Sequence, residues 1–105
     1  MRVRVIEEAE AEVDHAVAHY NALLTGLGTE FAANVRDGLS HIEKFPDAWQ
    51  LLGQRVRRYR LSRFPYGLVY ARLESEIVVV ALMHLHAVMH LHREPEYWRE
   101  RLARL

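Results

Sequence analysis

The stretch that decides the fold is VRRYRLSRFPYGLVY, residues 56–70. It begins with alternating basic and apolar residues and ends in an aromatic and β-branched run, both of which are typical of strands. Residues 62–65, between the two halves, have the composition of a tight turn. We therefore predict two antiparallel strands, residues 56–61 and 66–73, joined across this turn.

The segment before this hairpin predicts two helices. In residues 6–24 apolar side chains recur at helical spacing, with acidic side chains on the opposite face. The glycine-containing segment 25–28 breaks the pattern, and Thr29 opens a second amphipathic stretch that ends at Phe45 and Pro46. These two stretches predict an α-hairpin.

Two more strands and a short helix complete the predicted fold. Residues 2–6 alternate as a short strand does, and the continuous apolar run 77–82 is typical of the centre of a sheet. Pro95 suits the first position of a short C-terminal helix that includes Trp98. Residues 49–53 predict a loop. The predicted class is α+β, with an N-terminal strand, an α-hairpin, an antiparallel three-stranded meander and a short C-terminal helix. We expect one domain over residues 1–105.

Composition excludes several classes of protein. Half of the 105 residues are apolar and 27% are charged, which is typical of a globular domain and not of a disordered segment. No apolar run reaches the roughly 18 residues that a membrane span needs, and no signal core follows Arg2 and Arg4. The chain has no cysteine, so disulfides, thiolate nucleophiles and cysteine-bound zinc are excluded. We expect a cytoplasmic protein without a membrane partner.

The net charge of zero hides a separation of charge along the chain. Residues 1–47 carry four basic and nine acidic side chains, whereas residues 48–105 carry ten basic and five acidic ones. Arginine outnumbers lysine thirteen to one, which favours planar, bidentate contacts with anions over a solvated strand face. The candidate residues for binding an anionic target are Arg57, Arg58, Arg60 and Arg63. The tyrosines among them, Tyr59, Tyr66 and Tyr70, are interpreted as packing residues of the sheet.

The order of elements and several local motifs resemble the RelE/ParE superfamily of toxins from type II toxin–antitoxin systems. The resemblance covers nearly the whole chain, and its motifs are fairly specific as an ordered set, although each is common alone. The motifs are Glu8-Ala9-Glu10, Gly26-Leu27-Gly28, Phe45-Pro46, Val56-Arg57-Arg58, Arg63-Phe64-Pro65-Tyr66, Val69-Tyr70 and His92-Arg93-Glu94-Pro95-Glu96-Tyr97-Trp98.

The resemblance implies a small bacterial protein of the ParE-like plasmid stabilisation kind, held inactive by a cognate ParD-like antitoxin in a hetero-oligomer. When freed, members of this superfamily either poison DNA gyrase or cut messenger RNA on the ribosome without a metal. Neither activity implies a cofactor. A third interpretation is a non-toxic module that binds nucleic acid or a partner protein.

RNA cleavage makes specific demands on the side chains. Attack by the 2′-hydroxyl needs a base, donors for the charged transition state and an acid for the leaving oxygen. Arginine supplies only the donors, because its pKa is too high for a base near neutral pH. In the resemblance, Arg58, Arg60 and Arg93 fall where RNA-cleaving members carry catalytic basic residues, and Tyr97 falls near a functional aromatic residue. The candidate catalytic residues of a metal-independent endoribonuclease are His92, Arg93 and Tyr97.

One departure from the superfamily pattern argues against the nuclease. After Tyr66 this chain has Gly67, where RNA-cleaving members typically place another arginine. Loss of a charged transition-state donor typically costs about 10² to 10³ in rate. Arg63 or Arg72 could compensate, although Arg72 has the opposite strand parity from Gly67. The sequence therefore favours a ParE-like action without RNA cleavage.

A tandem repeat follows the central strand, with ALMHLH at residues 81–86 and AVMHLH at residues 87–92. Because six is even, His84, His86, His90 and His92 would share one face of a regular strand. A strand over residues 77–92 would far exceed usual strand lengths. We therefore expect a protruding extension or a strand swapped between two copies of the chain through residues 81–92. The duplication explains the histidines without a ligand, so no metal site is predicted.

Overall fold

The computed structural model describes residues 1–85 and 96–105. Its elements are β1 (Arg2–Val5), α1 (Glu7–Leu23), α2 (Leu27–Lys44), β2 (Gln50–Gly53), β3 (Val56–Arg60), β4 (Tyr66–Arg72), β5 (Glu76–His84) and α3 (Arg99–Leu102). Within the described residues, the strands form one sheet in the order β1-β5-β4-β3-β2. β1 runs parallel to β5, and all other neighbouring strands are antiparallel.

The two long helices form the predicted hairpin and pack on one face of the sheet. Three glutamates occupy the first turn of α1, where the helix macrodipole favours acidic side chains. Gly26 reverses the chain with φ 89°, a left-handed conformation that glycine adopts without steric cost. α2 begins at Leu27, two residues before the predicted start at Thr29. Gly28 therefore belongs to the helix, where a Cβ would lie only 2.3 Å from the carbonyl oxygen of Val17.

The core has two parts, one on each face of the sheet. The larger part lies between the sheet and the α-hairpin, and Phe31 and Tyr70 are among its fully buried side chains. The smaller part lies on the opposite face, where Trp98 packs against Val69 and Val78. We call these two faces of the sheet the hairpin face and the outer face. The C-terminal segment thus supplies a partial third layer.

The predicted three-stranded meander is wrong in its strand count. β3, β4 and β5 form the meander, but the segment predicted as a loop adds strand β2 at its edge, with Gln50 opposite Arg58. Four residues without alternation or a β-branched side chain carry no strand signal, so only the pairing with β3 reveals β2. The N-terminal strand also joins this sheet, with Val3 opposite Ile77 in parallel register.

In the described residues β1 pairs with β5 only as far as Val79, and beyond this point side chains bind the backbone at the edge of β5. Glu12 Oε1 on α1 accepts a hydrogen bond from the backbone N–H of Leu82 at 3.1 Å. Arg101 Nη1 donates to the carbonyl of Val80 at 2.9 Å, and the hydroxyl of Tyr97 donates to the carbonyl of Leu82 at 3.1 Å. An ion pair between Arg101 and Glu12 at 3.0 Å joins these contacts. These side chains satisfy backbone groups that would otherwise form an open strand edge.

The C-terminal part of the chain is described only in portions. α3 confirms a short C-terminal helix, although it begins at Arg99, and Pro95 lies outside the described residues. β5 ends at His84, and the second hexapeptide, residues 87–92, lies outside the described residues. The strand swap predicted through residues 81–92 therefore stays a prediction. Among the described residues, no helix has the length and apolar character that crossing a membrane requires.

Candidate functional site

The arginines of β3 lie on both faces of the sheet. Val56 packs in the outer part of the core and Tyr59 in the part against the α-hairpin, which fixes the face of each neighbour on this strand. Arg58 and Arg60 have the parity of Val56 and lie on the outer face. Arg57 has the parity of Tyr59 and lies on the hairpin face.

Three of the four predicted anion-binding arginines, Arg57, Arg58 and Arg63, are engaged within the chain, and two of these lie off the outer face. Arg57 Nη1 donates to the carbonyl of Trp49 at 2.8 Å. Arg63 Nη2 lies 2.7 Å from Glu30 Oε1, and its guanidinium lies 5.7 Å from the ring centroid of Phe64. The predicted group of four therefore divides into Arg57 and Arg63, which lie off the outer face, and the outer-face pair Arg58 and Arg60.

The outer-face pair is arranged around Gly67, which lies opposite Arg60 on β4. A Cβ at Gly67 would lie 2.8 Å from Cγ and 2.9 Å from Cδ of Arg58. The missing side chain thus leaves the space that the aliphatic stem of Arg58 occupies. Arg58 Nη2 donates to Gln50 Oε1 at 2.6 Å, whereas Arg60 is exposed and has no side-chain partner in the described part of the chain.

Neither arginine considered as a replacement at Gly67 is placed for that role. Arg72 lies on the hairpin face, as its parity predicts, and its Nε is 2.6 Å from Asp47 Oδ1. Arg63 is paired with Glu30 on α2. The outer face therefore presents the guanidiniums of β3 without a third one from β4.

Tyr97 is the described member of the predicted nuclease group. Its hydroxyl donates to the carbonyl of Leu82, and the guanidinium of Arg101 lies 5.1 Å from its ring centroid. These contacts stabilise the edge of β5, so Tyr97 has a structural role there. His92 and Arg93 lie outside the described residues, so their proposed roles stay predictions.

The tyrosines near the arginines are packing residues, as predicted. Burial raises the pKa of Tyr66 to about 12, with a further contribution from a hydrogen bond with Tyr20. Burial also raises the pKa of Tyr70 to about 12, and it raises the pKa of Tyr59. These hydroxyls are protonated near neutral pH, so they do not serve as general bases.

The described residues contain no group of three or more histidine or acidic side chains that could bind a metal ion together. The ring of His84 packs against Tyr66, with centroids 4.7 Å apart. His86, His90 and His92 lie outside the described residues. The absence of a native metal site therefore stays a prediction.

The candidate list from the sequence included Arg57 but missed Arg55 and Arg72, which form a second basic cluster with it. The backbone N–H of Arg72 donates to the carbonyl of Arg55 at 2.8 Å, so Arg55, in the turn that joins β2 to β3, lies beside Arg72 on β4. A signal for this cluster was present in the sequence. Arg55 immediately precedes the first predicted strand and Arg72 lies near the end of the second, so antiparallel pairing across the turn brings both to the same end of the two strands.

The fold is similar to that of a chain from the solved structure of the chromosomal ParDE TA system from P. aeruginosa. The TM-score is 0.63 at 17% sequence identity, and the similarity covers 82% of this chain and 97% of that chain. At this identity the likeness establishes the fold. No family model matches the chain, and no curated protein matches it.

Proposed function

We propose that this chain is the toxin of a type II toxin–antitoxin module, neutralised in the cytoplasm by a ParD-like antitoxin. The observation that carries the proposal is its likeness in fold to a chain of the ParDE system over 82% of its length. The ordered sequence motifs of the RelE/ParE superfamily support the same conclusion independently. The proposed action is ParE-like, with inhibition of DNA gyrase and hence of replication.

The outer face supports an action by binding. Arg58 and Arg60 present permanent positive charge on a strand held between β2 and β4, which suits an anionic partner surface. Gly67 contributes no third cation there, and Tyr97 is hydrogen-bonded to the backbone of β5. A binding surface needs complementary charge, whereas a nuclease also needs a base and an acid.

The second candidate is a RelE-like, ribosome-dependent endoribonuclease that needs no metal. The shared face of Arg58 and Arg60 favours it, because two guanidiniums on one strand face can clamp a phosphate in the transition state. Proton transfer would fall to His92 or Tyr97, with Arg93 as a further donor. The third candidate is a non-toxic module that binds nucleic acid or a protein.

Two assays separate these functions. A gyrase poison should inhibit supercoiling by purified gyrase and leave cellular transcripts uncut. A ribosome-dependent nuclease should give codon-linked breaks in primer-extension maps after induction and leave purified gyrase active. If the chain expressed alone leaves growth unchanged, both toxin proposals are wrong and the non-toxic module is favoured.

A double variant tests the role of the outer face. We expect Arg58→Ala/Arg60→Ala to lose most growth inhibition, because it removes both guanidiniums of this face. The matched control is Arg2→Ala/Arg36→Ala, which removes two exposed arginines elsewhere and should stay as toxic as the parent. Growth after induction is the measurement, with thermal melting to verify folding. Equal toxicity of a folded Arg58→Ala/Arg60→Ala variant and its control would remove these arginines from the proposal.

A further inference from the structure

A cleft of about 330 Å³ lies at the end of the sheet where β3 begins and β4 ends. Three arginines line it, namely Arg55, Arg57 and Arg72. It is at the opposite end of β3 from Arg60, roughly 16 Å away at about 3.3 Å per residue. Arg57 and Arg72 lie on the hairpin face, whereas Arg58 and Arg60 lie on the outer face, so the cleft is separate from the outer-face pair.

The arginines of the cleft are brought together at a cost in energy. Arg55 lies in the turn that joins β2 to β3, and its carbonyl accepts a hydrogen bond from the backbone N–H of Arg72, so two like charges are held close together. Arg55 also adopts φ 61°, a left-handed conformation that is strained for a residue with a side chain. Unfavourable backbone conformations of this kind cluster at functional sites.

The positive charge of the cleft is only partly compensated. Asp47 Oδ1 lies 2.6 Å from Arg72 Nε, but it lies off the N–H direction, and this buried N–H has no hydrogen-bond acceptor in the described part of the chain. Arg57 uses Nη1 for the carbonyl of Trp49. The side chain of Arg55 has no partner among residues 1–85 and 96–105.

Two carboxylates, those of Asp47 and Glu74, therefore face three guanidiniums, and the cleft carries a net positive charge. Each guanidinium has five N–H donors, so most donors at the cleft are unused. A charged ligand with several acceptor oxygens would satisfy them.

We propose that this cleft binds the phosphate group of a nucleotide. One guanidinium can bind a planar carboxylate through two parallel hydrogen bonds. Several guanidiniums that approach from two strands suit a tetrahedral phosphate. Leu51, which is 58% exposed, and Leu73 provide apolar surface beside the arginines on which a base can lie. The volume is at the lower end of the range for small-molecule sites. The phosphate can belong to a free nucleotide or to a nucleic-acid strand.

The test is calorimetric titration of the purified full chain at constant ionic strength. The probes are inorganic phosphate, adenosine 5′-monophosphate, adenosine, a short single-stranded oligonucleotide and a glutamate-rich peptide. We expect adenosine 5′-monophosphate to bind at least tenfold more tightly than adenosine. Arg55→Asn should weaken this binding at least tenfold without lowering the melting temperature, because asparagine tolerates the left-handed conformation. The control Arg36→Gln, at an exposed arginine of α2, should change the affinity less than twofold.

The same titrations identify the source of the phosphate and can overturn the proposal. Equal affinity for the mononucleotide and the oligonucleotide supports a free nucleotide, and at least tenfold tighter binding of the oligonucleotide supports a nucleic-acid strand. The proposal is wrong if neither phosphate nor any nucleotide binds below about 10 mM, beyond which affinity is negligible. It is also wrong if Arg36→Gln weakens binding as much as Arg55→Asn, or if a glutamate-rich peptide binds more tightly than every nucleotide. Gyrase inhibition and toxicity are measured separately, so this proposal and the toxin proposal can fail independently.

Discussion

At the scale of single residues, Gly67 determines how Arg58 is held. The stem of Arg58 lies over the glycine and directs its guanidinium to Gln50, which fixes one of the two charges of the outer face. Arg60, opposite Gly67, extends into solvent without such support. The glycine therefore affects the outer face through the position of a neighbouring side chain, and not only through the charge that it lacks.

We expect Gly67→Ala to destabilise the chain by about 1 kcal/mol, because the new Cβ forces the stem of Arg58 to move. In an Arg58→Ala background the two closest obstructing atoms are absent and Leu85 Cδ2 at 3.3 Å remains, so the same substitution should cost clearly less. Urea denaturation of the parent, the two single variants and the double variant measures the difference in unfolding free energy. An equal loss in both backgrounds would show that Arg58 is not what limits the space above Gly67.

At the scale of elements, the sequence predicts the parts that carry strong periodicity. The amphipathic pattern locates both helices, and the β-branched and aromatic runs locate β3, β4 and the centre of β5. It does not predict β2, whose short segment becomes a strand only through pairing with β3. It also misplaces the start of α2, because Gly26 and Gly28 look alike in sequence. Only one of these glycines forms the turn, whereas the other permits close helix packing.

The candidate site is less predictable than the fold, because it depends on contacts between elements that are distant in the sequence. The alternation of β3 correctly puts Arg58 and Arg60 on one face. Partners such as Trp49 for Arg57 and Glu30 for Arg63 depend on tertiary packing, which local patterns do not contain. Sequence alone therefore identifies which residues carry charge, but not which of them already have a partner.

Gly28 should be among the least replaceable positions of the α-hairpin. Alanine there would place its Cβ 2.3 Å from the backbone carbonyl oxygen of Val17 and 2.6 Å from the side chain of Asn21. Because a backbone group cannot move alone, we expect a loss of about 3 kcal/mol in unfolding free energy. The matched control is Gly53→Ala, where no atom lies within 4 Å, and its effect should stay within about 0.5 kcal/mol. Chemical denaturation measures both, and similar stabilities would contradict the close helix approach.

At the scale of the whole molecule, the two ends of the chain meet at the outer edge of β5. Glu12 from α1 and Arg101 from α3 form an ion pair whose side chains are only 15% and 12% exposed. Both also bind backbone groups of the sheet, so helices, sheet and C-terminal segment share one polar network. Networks that are this buried are costly to break at one partner.

We expect Arg101→Ala to lower the unfolding free energy by about 3 kcal/mol, because it removes the guanidinium that binds both the buried Glu12 carboxylate and the carbonyl of Val80. Arg104→Ala provides the control, since Arg104 pairs with Glu8 at the exposed surface and its loss should leave the melting temperature unchanged. Thermal melting compares the two variants directly. Equal melting temperatures would mean that the Glu12–Arg101 pair does not stabilise the edge of β5.

The closure of β5 by Arg101 and Tyr97 also bears on synthesis. Tyr97 and Arg101 follow every strand of the described sheet along the chain, so the ribosome adds them after all the strands that they help to hold. Folding should therefore finish only after these two residues have left the exit tunnel. A partner that recognises the finished sheet should accordingly not bind a nascent chain in which Tyr97 and Arg101 are still enclosed.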